Sequence, residues 1–225
     1  KNMIFDIGLG DTLSEREKKV YTTDGVSSMD AGLASTGLNA DDIDYVILTH
    51  LHPDHAGGAV KQTDRGGFVP RFPYAKYIIR AQEWEVAVNP DERTSAVYIP
   101  ERLHVLKESG QVEFIDGNTE LFPGIRAVHT GGHTEGHFAL EMESGGERVF
   151  YYADIFPTSH HMRVPFVPST DLFPLDTRKI KRAKLPQILD GVVMAFDHDI
   201  NLPLARVKTE GRRMMAEPVG ERITS

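Results

Sequence analysis

Four side chains that commonly bind metal ions fall within six consecutive residues, 50–55. They are His50, His52, Asp54 and His55. Imidazole nitrogens and carboxylate oxygens are usual ligands of Zn²⁺ and related metals, so this density indicates a metal site; the alternative is a polar turn with no ligand role. His50 and His52, two residues apart, point to the same side of an extended chain. The other two lie where the chain turns toward a helix, so they diverge toward a second ion.

Three further ligand-type residues stand just beyond apolar, strand-like segments. They are His133, Asp154 and His198. The carboxyl ends of strands are where open α/β sheets collect their ligands. Taken singly, each of the three is more often a structural or surface residue than a metal ligand. Together with the first cluster they form an ordered set of candidate metal ligands.

The composition narrows the chemistry further. The chain has ten histidines and no cysteine, which excludes disulfide scaffolds, thiol nucleophiles and thiolate-bound zinc. The net charge of −8 argues against a nucleic-acid partner. Because no apolar run approaches about 18 residues, we expect no membrane span. A cytoplasmic location is a separate expectation. No Gly-x-Ser-x-Gly elbow is present, so the pattern does not indicate a serine hydrolase.

Alternating strand-like and helix-like segments must position these side chains, which is typical of an α/β protein with sheets covered by helices. The pattern predicts strands over 43–48, 75–79, 112–115, 125–129, 138–142, 149–152 and 192–196, and a hairpin formed by 204–208 and 213–217. It predicts helices over 53–61, 81–88 and 98–107. A last helix, capped by Asp176, runs toward Leu189 and is shortened or kinked at Pro186.

Five cations fall within seven residues of this last helix. They are Arg178, Lys179, Lys181, Arg182 and Lys184. In an acidic protein with no stacking aromatics beside them, we interpret them as a solvated helix face.

The order of the ligand motifs resembles that of the metallo-β-lactamase superfamily. His-Leu-His-Pro-Asp-His at 50–55 is followed by Gly-His-Thr-x-Gly-His at 132–137, Ala-Asp at 153–154 and a late histidine. The resemblance spans nearly the whole chain and implies a single domain over 1–225 with the αββα sandwich, two mixed β-sheets flanked by helices. It also implies that the first N-terminal strands of the fold are missing.

The resemblance implies a dinuclear site. One ion takes His50, His52 and His133, the other takes Asp54, His55 and His198, and Asp154 bridges them. Asp54 and Asp154 are the implied catalytic residues. Two divalent ions per chain are implied, Zn²⁺ first, with Fe, Mn or Co left open.

Within the superfamily the chain looks most similar to quorum-quenching, YtnP-like lactonases and to methyl parathion hydrolase-like enzymes, through residues 154–161 and 171–175. This implies opening of lactones such as N-acyl-homoserine lactones by a metal-bound hydroxide. The alternatives are a phosphotriesterase acting on organophosphates through the same site and a non-catalytic metal-binding module. Pro157 stands where several such lactonases have a tyrosine, which weakens direct transfer of their substrate.

The implied partner is a small lactone or ester, with no nucleic acid and no membrane. Its expected contacts are Phe156, His160, His161 and Phe173. A homodimer stays open as the commonest closed assembly.

Overall fold

The computed structural model describes residues 1–211 and 213–220. Its backbone divides into two units, Lys1–Ile115 and Asp116–Ser225. The expectation of a single domain that lacks its first strands stays a prediction.

The first unit contains six strands, four of which form a parallel sheet. The six strands are β1 (Met3–Phe5), β2 (Tyr45–Ile47), β3 (Val60–Gln62), β4 (Phe68–Pro70), β5 (Lys76–Arg80) and β6 (Val112–Ile115). The sheet order is β1-β2-β5-β6 with every neighbour parallel, while β3 and β4 form a separate antiparallel pair. Parallel strands are usually buried on both faces, and Val46, Ile47 and Ile79 are fully buried here.

Five helices accompany this sheet in the first unit. They are α1 (Glu15–Tyr21), α2 (Met29–Ser35), α3 (Pro53–Ala56), α4 (Ala81–Val88) and α5 (Pro100–Glu108). Trp84 of α4 and Leu106 of α5 join Val46 and Tyr77 of the sheet in one apolar core. The core therefore fixes the carboxyl end of β2, from which the 50–55 segment leaves.

The second unit contains a seven-stranded mixed sheet. Its strands are β7 (Thr119–Phe122), β8 (Ile125–His129), β9 (Phe138–Ser144), β10 (Glu147–Tyr151), β11 (Val193–Ala195), β12 (Leu204–Glu210) and β13 (Arg213–Pro218). They follow one another in the order β13 to β7, and only the β10–β11 pair is parallel. Helix α6 (Pro174–Leu189) packs on this sheet through Ile188, which shares a core with Phe150 and Met194.

These elements confirm most of the predicted strands, the last hairpin and α4. The predicted helix over 53–61 is wrong in length, since α3 ends at Ala56 and a 3-10 turn leads into β3. The reason is a close backbone approach: a Cβ at Gly57 would lie 2.3 Å from the carbonyl oxygen of Leu9, and one at Gly58 2.3 Å from that of Ile7. Only glycine fits this crossing, and glycine weakens a helix.

Helix α6 bears on three predictions. It begins at Pro174, so Asp176 lies in its first turn and does not cap it. It runs to Leu189 as predicted and Pro186 does not shorten it, while the alternative of a kink at Pro186 stays a prediction. Its cations do not all face solvent, because Lys181 is fully buried and Lys184 forms an ion pair with Glu141. Lys181 shares its face with Thr177 and Ile188, which are also buried.

At 16 residues, α6 is the longest helix in the described part of the chain, and a bilayer crossing requires about 20 apolar residues. None of the described helices combines the length and the hydropathy that a membrane span needs.

Candidate metal centre

The segment after β2 brings three imidazoles together in the first unit. His52 precedes α3, with Pro53 at the first helical position, and His55 lies within the helix. The ring centroid of His50 is 4.6 Å from that of His52 and 4.1 Å from that of His55. Asp54, in the same short helix, has a carboxylate oxygen 3.8 Å from Nε2 of His55. All four candidate ligands of this motif therefore lie within one turn-and-helix segment.

Asp6, just after β1, fixes two parts of this segment. Its Oδ1 accepts from the amide of Thr49 at 2.9 Å, and its Oδ2 from the Thr49 hydroxyl at 2.7 Å. The same Oδ2 lies 2.9 Å from Nδ1 of His55, while the Thr49 hydroxyl lies 3.1 Å from Nδ1 of His50. With Nδ1 engaged, each ring offers Nε2 to a metal, which is how metal-binding histidines are usually oriented. Asp6 adopts a positive φ of 42°, a backbone conformation that aspartate tolerates better than most residues.

A buried carboxylate supports the same segment from α4. Glu83 is fully buried, and its Oε1 accepts from the amide of Leu51 at 2.9 Å and from the hydroxyl of Tyr98 at 2.9 Å. The Tyr98 ring lies 5.3 Å from the ring of His52. The sequence analysis missed this contact because Glu83 is 32 residues from Leu51.

In the second unit Asp154 lies between two histidines. Its Oδ2 is 2.9 Å from Nε2 of His133, and its Oδ1 is 3.1 Å from Nε2 of His198. Asp197 adds a carboxylate oxygen 3.6 Å from Nε2 of His198. The 3-10 turn that carries Asp154 follows β10 and requires a positive φ of 41° at Ala153. Each oxygen of one carboxylate thus faces a different imidazole.

Asp171 orients His133 from its other side. Its Oδ1 is 3.0 Å from Nδ1 of His133, and its side chain is fully buried. Burial lowers the pKa of His133, but hydrogen bonds to Asp154 and Asp171 outweigh it and raise the pKa to about 9. The two chain segments also pair, because the amide of Leu172 donates to the carbonyl of His133 and that of Phe173 to the carbonyl of Gly132. Asp171 was not predicted as a site residue, since nothing in its local pattern marks it.

Both the backbone conformation and the packing at position 132 require glycine. Its φ is +83°, and a Cβ there would lie 2.5 Å from Oγ1 of Thr177 in α6. His137, at the far end of the motif, is buried with Nδ1 2.6 Å from the hydroxyl of Thr130 and its carbonyl accepting from the Thr130 amide. It therefore closes the loop that carries His133.

The expected substrate contacts divide into two groups. His160 and Phe173 are exposed, and His161 is partly buried with Nδ1 2.8 Å from the Thr158 hydroxyl. Phe156 is fully buried and packs edge-on against Tyr152 at 5.7 Å. Core packing therefore accounts for the burial of Phe156, and its expected contact with substrate stays a prediction.

The donor chemistry in each unit fits a divalent transition metal. In the first unit, His50 and His52 offer nitrogens within 4.8 Å of each other. In the second unit, a nitrogen of His133 and a carboxylate oxygen of Asp154 lie within 4.8 Å of each other. Ligand atoms of Asp154, Asp197 and His198 also lie within 4.8 Å of one another. Nitrogen and carboxylate oxygen without thiolate suit Zn²⁺, Fe, Mn or Co. The residues present therefore fit the ions that the motif order implies.

Comparison with known proteins shows the family of this chain. The model of the metallo-beta-lactamase superfamily matches residues 1–198. The chain belongs to this superfamily. The N-acyl homoserine lactonase AiiA of Bacillus thuringiensis subsp. kurstaki is 29% identical over 171 residues, which make up 75% of this chain and 60% of that protein. This superfamily member thus spans about 60% of the length of the curated lactonases it matches.

Solved structures of the superfamily share its fold. A probable metal-dependent hydrolase from Staphylococcus aureus matches with a TM-score of 0.88 and 29% identity, over 99% of this chain and 79% of that one. AidC, a dizinc quorum-quenching lactonase in complex with a product, matches with a TM-score of 0.78 and 23% identity, over 97% of this chain and 76% of that one. The expected metallo-β-lactamase fold, with several sheets flanked by helices, is confirmed.

Proposed function

We propose that this protein is a dinuclear metal-dependent hydrolase that opens lactone rings, N-acyl-homoserine lactones among them. The observation that carries the proposal is the position of Asp154, whose two carboxylate oxygens face Nε2 of His133 and of His198. Together with these two histidines, Asp154 would hold the paired ions that supply a nucleophilic water in two-metal hydrolases. The superfamily match and the lactonase relatives at 29% identity support the choice of substrate.

The proposed ligand assignment follows the order of the superfamily motifs. One ion takes His50, His52 and His133, the other takes Asp54, His55 and His198, and Asp154 is shared. The Nδ1 restraints by Asp6, Thr49 and Asp171 support it, because they leave Nε2 as the metal-facing atom. Zn²⁺ is the first choice for both positions.

Two ions held by these residues would supply a nucleophilic water molecule and a Lewis acid for the lactone carbonyl. A residue of this chain then transfers the proton of that water molecule. A carboxylate oxygen of Asp154, held between two imidazoles, accepts the proton of the attacking water. The new C–O bond to water forms, the ring C–O bond breaks, and the proton passes to the ring oxygen, which gives a hydroxy acid.

His160, His161 and Phe173 are the proposed substrate contacts. Phe173 is joined to the ligand loop, since its amide donates to the carbonyl of Gly132 beside His133.

The experiment is a hydrolysis assay of the Zn²⁺-loaded protein on lactones of graded acyl length and on paraoxon-type phosphotriesters. We expect lactone hydrolysis that Asp154→Ala abolishes and that Asp176→Asn, a half-buried position in the first turn of α6, leaves intact. Elemental analysis should find about two ions per chain. Hydrolysis of triesters alone would favour a phosphotriesterase. Bound metal with no hydrolysis of either class would favour a binding module and refute the proposal.

A further inference from the structure

Lys181 is the one cation of the α6 run that is fully buried in the described structure. Its ammonium donates to the carbonyl of His161 at 2.8 Å and to the carbonyl of Phe166. It also lies 5.0 Å from the centroid of the Phe156 ring, within the range of a cation–π contact. A buried charge with two carbonyl acceptors is costly to place and is retained only where it is hydrogen-bonded.

The two carbonyls belong to the loop that leaves Asp154. This loop, 157–168, is fixed near its start, where the amide and the hydroxyl of Ser159 both donate to Oδ2 of Asp199. Between Ser159 and the start of α6, Lys181 supplies the side-chain bonds to the main chain at 161 and 166. The loop carries His160 and His161, and α6 itself begins two residues after Leu172, whose amide is bonded to His133. Helix α6 therefore connects the loop to the metal-ligand segment.

We propose that Lys181 is a positioning residue that holds the 157–168 loop and sets the environment of the His161 side chain for substrate binding. This rests on the proposed function, because His160 and His161 are proposed substrate contacts. Lys181 acts through the loop that carries those residues, because its two hydrogen bonds go to the main-chain carbonyls of His161 and Phe166. An apolar residue of the same length would fill the same space but leave two carbonyls without their donor.

The charge of Lys181 reaches His161. Burial lowers the pKa of His161, and repulsion from Lys181 and from His160 lowers it further, against the attraction of Asp154 and Asp171. The remaining cations of the helix differ. Arg178, Lys179 and Arg182 are exposed, Lys179 is bonded to Asp176, and Lys184 is paired with Glu141. Lys181 is therefore separable from its neighbours by substitution.

The test compares Lys181→Met with Lys179→Met, which removes the same charge from the exposed side of the same helix. Both are measured as Zn²⁺-loaded proteins by NMR titration of the histidines, by amide hydrogen exchange and by lactone kinetics. In Lys181→Met we expect the pKa of His161 to rise. We expect exchange over 157–168 to become at least about tenfold faster, because two hydrogen bonds to this loop are lost and one alone is worth about tenfold. We expect KM to rise more than kcat falls. Lys179→Met should match the parent protein in all three.

An unchanged His161 titration together with unchanged exchange in Lys181→Met would overturn the proposal. If Lys181→Met fails to fold, Lys181→Gln carries the test, because it keeps one donor while removing the charge. We then expect the same rise in the His161 pKa and a smaller acceleration of exchange. Titration and exchange need no substrate. A parent protein that hydrolyses no lactone would thus refute the proposed function while Lys181 is still judged by these two measurements.

Discussion

Neighbouring oxygen atoms orient the histidines that are the candidate metal ligands of this protein. Nδ1 of His55 lies against Asp6 and Nδ1 of His133 against Asp171, at 2.9 and 3.0 Å. A carboxylate on the outer nitrogen fixes the tautomer and the ring orientation and strengthens the inner nitrogen as a donor. Because Asp171 is fully buried, it has little freedom to leave that position.

Replacing Asp171 with asparagine should weaken metal binding by about 10- to 100-fold, because the amide is neutral and orients His133 less strongly. Competition with a chromogenic chelator measures the change. Asp176→Asn, five residues further along, is the matched control and should bind as tightly as the parent. Equal affinity in the two variants would show that Asp171 does not serve His133.

Gly132→Ala should destabilise the protein more than Gly146→Ala does. Both glycines have a φ of +83°, so each substitution meets the cost of a left-handed alanine, about 1–2 kcal/mol. At Gly146 nothing lies within 4 Å of the added Cβ, whereas at Gly132 it meets Thr177 at 2.5 Å. Overpacking there adds about 1–3 kcal/mol. Urea unfolding of both variants measures the difference, and equal midpoints would contradict the clash.

Helix α1 is held to the first unit largely by one arginine. Arg102 of α5 donates to both carboxylate oxygens of Glu17 at 2.9 Å and also to the carbonyl of Thr12. Within α1, Ser14 and Glu17 form a capping box that completes the first turn. Most helices are stabilised by packing of an apolar face. No residue of α1 is buried, so these polar contacts stabilise it instead.

Glu17→Gln should lower the free energy of unfolding by about 1.5–3 kcal/mol at neutral pH. Burial raises the pKa of Glu17, but hydrogen bonds from Arg102 and Ser14 outweigh it, so the pKa lies below its ordinary value of 4.5. The stabilisation is therefore fully present above pH 4.5 and is lost as the pH falls through the lowered pKa.

Denaturant unfolding from pH 7 down to pH 3 should show the gap between parent and Glu17→Gln closing below pH 4.5. The control is Glu15→Gln, whose side chain is 84% exposed in its pair with Lys18 and should contribute less than about 1 kcal/mol. A gap that stays constant with pH would argue against the Arg102 contact.

Local patterns predicted the elements and ligands that depend on neighbours in sequence. The 50–55 motif and α4 are of this kind, since periodicity and spacing encode them directly. Helix α1 was not predicted because it has no buried face to give a periodic signal. Asp171 and Glu83 were not predicted because their partners lie 38 and 32 residues away. Lys181 was misinterpreted, since a cation in a basic run is usually solvated and only the tertiary packing shows its burial.

Metal binding should stabilise the whole protein. An ion that binds only the folded chain adds RT ln(1 + [L]/Kd), about 2.7 kcal/mol at a free concentration 100-fold above Kd. We therefore expect a chelator to lower the calorimetric unfolding temperature, and added Zn²⁺ to restore it in proportion to the logarithm of its concentration. Asp154→Ala should lose most of this response. A parent protein indifferent to the chelator would contradict the metal assignment.

Strand β13, at one edge of the seven-stranded sheet, affects how readily the protein aggregates at high concentration. An exposed strand edge is a template on which another chain can add, and charged residues and proline are the usual means of blocking such growth. Strand β13 begins at Arg213 and ends at Glu217 and Pro218, with Glu217 paired to Lys208 on β12. Because proline has no amide hydrogen, an added strand would lack a bond at that position. The sheet therefore carries its own resistance to aggregation at this edge.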